Sequence, residues 1–487
     1  MDIVVSLPQE INKIIDKLYK AGFEAYVVGG CLRDLMLGQQ PKDWDIATEA
    51  RPEAIQKIFK KSFYSNKFFT VTVQTDNPLT SLKEIEITTF RKEAKYTDKR
   101  HPDEIRFADS LEQDLARRDF TVNAMALNRR NDKIIDPHSG QTDLKNRLIR
   151  TVGEADERFN EDALRMIRAV RLAAVLGFKI EDKTFKAIQK KSSWLTRISQ
   201  ERIRDELIKI IMSDNADQGI ELLRQAKLLQ YIIPELEQGY KVGQNKHHIY
   251  DCYEHSLKSL QYAAKRKFNK YVRIASLLHD IGKPCSKRGK GENSTFYGHE
   301  IIGAKMTEQI LSRLKFAKKD IDKIVKLVRY HLFYYNVDEV SESSVRRLVR
   351  QVGPENMKEL LQVRMADRIG SGVPKAEPYK LRHLKYVIDR VSRDPISVNM
   401  LKINGKDVMD ILNIKPGPKV GQILNVLLGY VLSDPKKNKK DFLKKEVKKL
   451  GRLSDKELNC LSQKALKERD TIEMKRDKMT RQKYWVT

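Results

Sequence analysis

The chain has 487 residues, 40% hydrophobic and 33% charged, which suits about three to four folded domains and excludes a disordered chain. Lys plus Arg number 94 against 66 Asp plus Glu, a net charge of +28, so a polyanionic partner such as nucleic acid is expected ahead of a merely solubility-tuned surface. Asp2 and Glu10 stand where a signal peptide would be basic, and the apolar stretch from Val420 to Leu432 is too short to span a bilayer. Cys31, Cys252, Cys285 and Cys460 form no C-x-x-C pair, so neither a disulfide framework nor a zinc knuckle is implied. A cytoplasmic protein without a membrane anchor or a stable protein partner is expected.

In chain order, IVVSLPQEINKIIDKLYKAGF has helical period and ends at Gly22, and AYVVGG is a short apolar strand closing in two glycines. FFTVTVQT and EIEITTF alternate as strands, and AMALN and KIIDP form a shorter pair. After Asp143 strand signals nearly vanish and helical period takes over. The fold class expected is therefore α+β, a small mixed α/β head followed by an extended all-helical body. The expected divisions are a head over 1–145, a helical neck over 146–240, a histidine-rich helical domain over 241–375 and a basic helical tail over 376–487.

The sharpest local signal is VVGGCLRDLMLGQQPKDWDIAT. Gly29 and Gly30 follow a strand directly, where backbone N–H groups can approach a triphosphate. Arg33, on the following helix, can neutralise a phosphate. Asp43 and Asp45 are two apart, which on a strand places both carboxylates on one face. Such a pair can hold two divalent cations for phosphoryl transfer, one at the attacking hydroxyl and one at the leaving pyrophosphate. Glu86 is either a third carboxylate from a neighbouring strand or an ordinary outward strand residue.

GGCLRD, KDWDIAT and RRDFTVNAMAL, followed by the stretch from IDPHSGQTDL to SQERIRDEL, resemble the class II tRNA nucleotidyltransferase and bacterial poly(A) polymerase superfamily over roughly the first 215 residues. The resemblance implies that Arg117, Arg118 and Asp119 handle the sugar and triphosphate, Asp119 facing a ribose hydroxyl, and that Arg158 lies near the phosphates. It also implies Mg²⁺ at Asp43 and Asp45, and it matches Glu161, Asp162 and Arg165 to a nucleotide-selecting motif. Chemistry supports that match. Asp162 only accepts hydrogen bonds and Arg165 only donates them. Cytosine and adenine both present an amine beside a ring-nitrogen acceptor, whereas uracil and guanine present the reverse. With Asp162 and Arg165 three apart on a helix, the pair would accept C and A, with Glu161 holding the Arg165 guanidinium in plane. The polar connection from Phe90 to Asp109 matches a family loop needed for adding the terminal A, at full length.

Six of the nine histidines fall between His247 and His331. His255, then adjacent His279 and Asp280, then Asp367 resemble the HD superfamily of metal-dependent phosphohydrolases, with His299 and His331 where dinuclear members place extra ligands. Imidazole plus carboxylate suits Ni, Mn, Fe or Co, and an activated water could attack a phosphate ester. By resemblance the substrates are 2′,3′-cyclic or terminal phosphates. Pro416, Gly417, Pro418 and Gly421 form a turn before a helix that serves either as a backbone-phosphate contact or as a plain cap. The basic run beyond Ser433 is either an RNA-contacting tail or a solvated charged helix.

The activity expected is template-independent addition of C, C and A to the tRNA 3′ end from CTP and ATP, with accessory phosphohydrolase chemistry. The alternatives are a poly(A) polymerase, an A-adding enzyme, or a phosphohydrolase whose head only binds RNA.

Overall fold

Short runs in which every second residue is apolar build the head sheet. In the computed structural model, which describes residues 6–65, 69–94, 104–245, 249–289, 291–392 and 398–486, these runs are β1 (Ala25–Val28), β2 (Asp45–Thr48), β3 (Ser62–Ser65), β4 (Thr70–Gln74), β5 (Glu84–Thr89), β6 (Arg91–Ala94), β7 (Glu104–Phe107), β8 (Ala126–Asn128) and β9 (Lys133–Ile135). Seven of them form one sheet in the order β3-β4-β5-β2-β1-β8-β9. Only β2 and β5 pair in parallel; the other neighbours are antiparallel. β6 and β7 pair separately as a hairpin within the expected 90–109 connection, of which 95–103 lie outside the described residues.

Register decides what the sheet presents at its edge. Val28 opposes Asp45, and Asp45 opposes Glu86. Directly opposed residues share a face, so the end of β1 and both carboxylates come out together. On that face Tyr26, Ala47 and Ala126 pack with Leu111 and Leu115 of the helix Leu111–Ala116. The helix Gln9–Lys20 packs on β1 and buries Ile11, Ile14, Ile15 and Leu18, one stripe at helical spacing. It starts later than its periodicity predicts: Pro8 occupies its N-cap, and residues 1–5 lie outside the described residues.

Beyond the head the described residues are helical, as expected, with the two-residue strands Leu148–Ile149 and Lys179–Ile180 interrupting the helices. The helix Leu164–Leu176 is buried nearly all round, because Ala169, Ala173 and Ala174 let its neighbours approach closely; it ends at Gly177 in the left-handed region, φ 68°. It packs against Gln200–Ile211 and Ala216–Gln225. The histidine-rich stretch consists of Cys252–Lys265, Lys270–Leu278, His299–Arg313, Lys318–Arg329 and Met357–Gly370. Asp251 and Asn269 cap the first two by accepting the N–H groups of Glu254 and Val272.

Residues up to Leu332 together with Lys358–Pro374 form one compact unit, and Phe333–Met357 with the residues from Lys375 onward form a second. The second has its own core, including Val408, Ile423, Leu427, Leu443 and Val447. The apolar stretch near Val420 belongs to its helix Pro418–Ser433, entered through Gly417 and Pro418. Its last helix, Asp455–Tyr484, opens with a Ser454–Glu457 capping box. No helix among the described residues is long and apolar enough to cross a membrane.

In the first unit a buried arginine fastens helix ends together. Arg273, 2% exposed, donates to the carbonyls of Ile211 at 3.0 Å, Ser213 at 2.8 Å and Phe268 at 2.9 Å. A cation at helix C-termini satisfies carbonyls that have no partner within their own helix. Arg273→Met keeps the bulk but removes those donors. It should destabilise this unit by about 3 kcal/mol, read by denaturant unfolding of the full chain. An unchanged midpoint would mean that water replaces the guanidinium at no cost.

Candidate active site

Gly29 is held at φ 76° and ψ −144°, a backbone that side chains rarely adopt, and it caps the helix Gly30–Met36. A Cβ there would stand 3.1 Å from both the Arg118 guanidinium and the Asp45 carboxylate. The double glycine therefore lets the β1 turn lie against the carboxylate edge, as its sequence predicts. Asp45 opens β2 and is half-buried. Burial pushes its carboxyl up to about 6; Arg118 opposes this, while Glu86 and Asp43 add to it. Crowded carboxylates with oxygen donors are the environment a hard divalent cation relieves.

The expectation for Asp43 needs correcting. Asp43 lies in the turn before β2 and is exposed, so the two aspartates are not alternate residues of one strand. Their closeness comes from the turn rather than from the pleat. Glu86 lies opposite Asp45 across the β2–β5 pair, on the same face of the sheet, and is exposed.

Behind this edge the basic residues are held by carboxylates that sequence reasoning did not single out. Asp114, 1% exposed, accepts from Arg117 at 2.7 Å and Arg118 at 3.0 Å. Its position three and four residues before them, on a helix, was the available signal. Asp119 is buried and fully engaged: it accepts from the N–H of Phe120, from Asn123 at 3.2 Å, and from Arg168 at 2.9 and 2.6 Å. Burial alone would raise its pKa, but Arg168 holds the carboxyl far below the usual range. The expected ribose-facing Asp119 is thus an internal anchor whose oxygens are already occupied. Arg33 donates to Asn123 at 2.6 Å and to Asp34, extending the same network.

The selector motif is built differently from the helical pair expected of it. Asp162 is the C-cap of the helix Ala155–Glu161, with extended φ −144°, and the next helix begins at Leu164. The break turns its carboxylate toward Arg202, which donates at 2.6 Å, while the other oxygen accepts the Leu164 N–H at 3.0 Å. Arg165 pairs with Glu161, as predicted, and also donates to the Arg117 carbonyl at 3.3 Å. Arg158 pairs with Glu161 at 2.8 Å and reaches the Ala116 carbonyl. Asp45 and Arg118 both border the space beside Gly29, and from Arg118 a run of contacts continues through Asp114 and Arg117 to Arg165. Arg202 was missed although it stands in SQERIRDEL, because a partner 40 residues away in sequence leaves no local pattern.

The histidine-rich stretch gathers as its resemblance to the HD superfamily implies. His255, His279, Asp280 and Asp367 offer ligand atoms within 4.8 Å of one another, and Asp280, His299 and His331 form a second such group sharing Asp280. His255 Nε2 lies 2.9 Å from His279 Nε2 and 3.0 Å from Asp280 Oδ2, while His299 and His331 Nε2 lie 3.3 and 3.5 Å from Asp280 Oδ1. His279, His299 and His331 each place Nδ1 at 2.9, 2.7 and 2.7 Å from a backbone carbonyl three residues earlier. That bond fixes the tautomer and turns the Nε2 lone pair inward, the orientation a metal ligand needs. With no cation, burial would lower the His279 pKa, yet Asp280 and Asp367 raise it to about 10. Gly282 makes the cluster possible, since a Cβ there would lie 2.3 Å from the His299 carbonyl. His247 and His248, counted with this group in the sequence, lie outside the described residues.

Family models agree with these three regions. The poly(A) polymerase head domain matches residues 25–150, the probable RNA- and SrmB-binding site of polymerase A matches 177–239, and the HD domain matches 252–393. A CCA-adding enzyme of Ligilactobacillus salivarius is 34% identical over 459 residues, 92% of this chain and 98% of the relative. One of Lactococcus lactis subsp. cremoris is 34% identical over 448 residues, 91% and 98%. The solved structure of the Bacillus stearothermophilus CCA-adding enzyme in complex with CTP superposes with a TM-score of 0.60 at 29% identity, covering 91% of this chain and 97% of that one. The head of mixed sheet, the helical body and the sequence together place this chain in the CCA-adding enzyme family of nucleotidyltransferases.

Proposed function

We propose that this chain works in the cytoplasm on tRNA, adding C, C and A to its 3′ end from CTP and ATP without a template. The observation that carries this reading is the placement of Asp45 and Arg118 on either side of the Gly29 turn, with Arg118 linked through Asp114 and Arg117 to Arg165. It joins a phosphoryl-transfer edge to a base-reading pair.

Asp43, Asp45 and Glu86 supply only oxygen ligands, which suit Mg²⁺; a bound cation there lowers the barrier to attack on phosphorus. The Gly29–Gly30 turn and Arg33 receive the triphosphate, with Arg117 and Arg118 presented beside them by Asp114. The RNA 3′ oxygen bonds to the α-phosphorus, the bond to pyrophosphate breaks, and the hydroxyl proton leaves to solvent or base. Asp162, steadied by Arg202, accepts from the exocyclic amine of cytosine or adenine, and Arg165, steadied by Glu161, donates to the ring nitrogen beside it. Uracil and guanine would leave both groups facing their own kind.

The four inward Nε2 atoms support a second, metal-dependent phosphohydrolase centre. The mixed nitrogen and oxygen donors suit Ni, Mn, Fe or Co. There the P–O bond of a terminal or cyclic phosphate would be hydrolysed by water, the ester oxygen leaving as a hydroxyl.

The deciding assay supplies Mg²⁺ and tRNA lacking its last three nucleotides. Two additions with CTP and one more with ATP are expected; a long A tail would make the chain a poly(A) polymerase, and extension only of a CC end an A-adding enzyme. Asp162→Ala should cut the preference for C and A over U and G by at least about a hundredfold while transfer continues. An unchanged preference removes the selector role. Addition should fall as pH drops below about 6, where Asp45 takes up a proton, and more Mg²⁺ should move that midpoint lower because cation and proton compete. A midpoint indifferent to Mg²⁺ would place the titration elsewhere. His279→Ala should abolish phosphohydrolysis and spare nucleotide addition, measured on one preparation.

A further inference from the structure

The histidine cluster is ringed by more positive charge than a cation site can use. Lys283 Nζ lies 2.6 Å from Asp280 Oδ2, and Arg364 donates to Asp367 Oδ2 at 2.6 Å. Arg368 lines the same cavity of about 490 Å³, into which His299, His331, Asp280 and Asp367 also face. Two carboxylates therefore stand against three side-chain cations before any metal enters. Positive groups within a few ångströms of metal ligands weaken metal binding by direct repulsion, so they are costly unless an anion joins them.

Arg364 and Arg368 sit one turn apart on the helix Met357–Gly370, flanking Asp367. Across the same cavity Tyr297 is 80% exposed, with Phe296 beside it. An open aromatic face next to a cationic pocket suits a base attached to a phosphate.

We propose that Lys283, Arg364 and Arg368 form a phosphate clamp coupled to metal loading, and that it holds the phosphorylated end of a nucleotide whose base stacks on Tyr297. This rests on the metal-centre reading given above. In the cation-free protein Lys283 and Arg364 lie on the ligand carboxylates. A metal ion that takes those carboxylates releases the two side chains to the phosphate, and the phosphate in turn neutralises the charge that opposes the metal. Linkage requires each ligand to strengthen the other by one factor.

The test is calorimetric titration of the full-length chain with Co²⁺, using the His279→Ala chain as the blank for binding elsewhere. Inorganic phosphate should tighten Co²⁺ binding about tenfold, and adenosine 3′-monophosphate should do so more strongly. In Arg364→Gln, Co²⁺ should bind a few-fold tighter without phosphate, and the gain from phosphate should shrink to under about twofold. Arg368→Gln repeats the measurement while leaving the Arg364–Asp367 bond in place, and Tyr297→Ala should remove only the advantage of the nucleotide over inorganic phosphate. If Arg364→Gln instead weakens Co²⁺ binding and keeps the phosphate effect, the arginine merely orients Asp367 and the clamp is overturned. Equal coupling by the two phosphates overturns the base platform. Absence of Co²⁺ uptake beyond the blank removes the metal centre itself, whereas uptake without phosphate coupling removes the clamp alone.

Discussion

The first unit turns on one ion pair, the buried Asp119 with the partly exposed Arg168. Asp119 follows the arginines that face the catalytic edge, and Arg168 lies on the helix that begins just after the selector motif. A carboxylate taken out of water repays that cost only when its partner is well placed and its remaining bonding capacity is filled. Here it is, because Asn123 and the Phe120 N–H complete the carboxylate, and Asn123 in turn holds Arg33. This one pair thus ties the stretch that carries Arg117 and Arg118 to the helix that carries Arg165. Such a site must be rigid, since an addition without a template has only the pocket's own hydrogen-bond pattern to read from.

The carboxylate edge of the head and the histidine cluster solve opposite electrostatic problems. At the head, carboxylates outnumber the cations close to Asp45, so its proton affinity rises with burial and with Glu86 and Asp43 nearby. At the histidine cluster the carboxylates are outnumbered, and Asp280 and Asp367 are held well below the usual carboxylate range despite their burial, His279 and Lys283 acting on the first and His255 and His279 bonding the second. The first arrangement favours a hard cation and a triphosphate that brings its own negative charge. The second tolerates soft-to-borderline metals through neutral imidazole and leaves positive charge over for an anion.

Residues that carry chemistry were legible where their spacing is local. The Gly29–Gly30 turn, the Glu161–Arg165 pair and the HD run His279–Asp280 all stand in the structure with the neighbours that their spacing predicts. Errors arose where a periodic pattern was assumed to continue. Asp43 was assigned a strand and Asp162 a helix, yet each sits just outside an element, where the backbone is free to aim a side chain that regular geometry would have pointed elsewhere. Asp119, which its motif places toward the sugar, is bonded to Arg168, Asn123 and the Phe120 N–H, partners its local sequence does not reveal.

The sequence by itself determined the class of the fold, the order of its parts and the residue types at both centres. Alternation of apolar residues, glycine after a strand and the run of helical period each act over a few residues. Tertiary structure decided the rest: the alignment of Asp45 with Glu86, the grip of Arg202 on Asp162, and the convergence of four imidazoles on one shared aspartate. Apart from the neighbours His279 and Asp280, those contacts join residues about 20 to 50 positions apart. Their geometry follows from strand register and helix packing, which are properties of the whole core and leave no mark in any short stretch of chain.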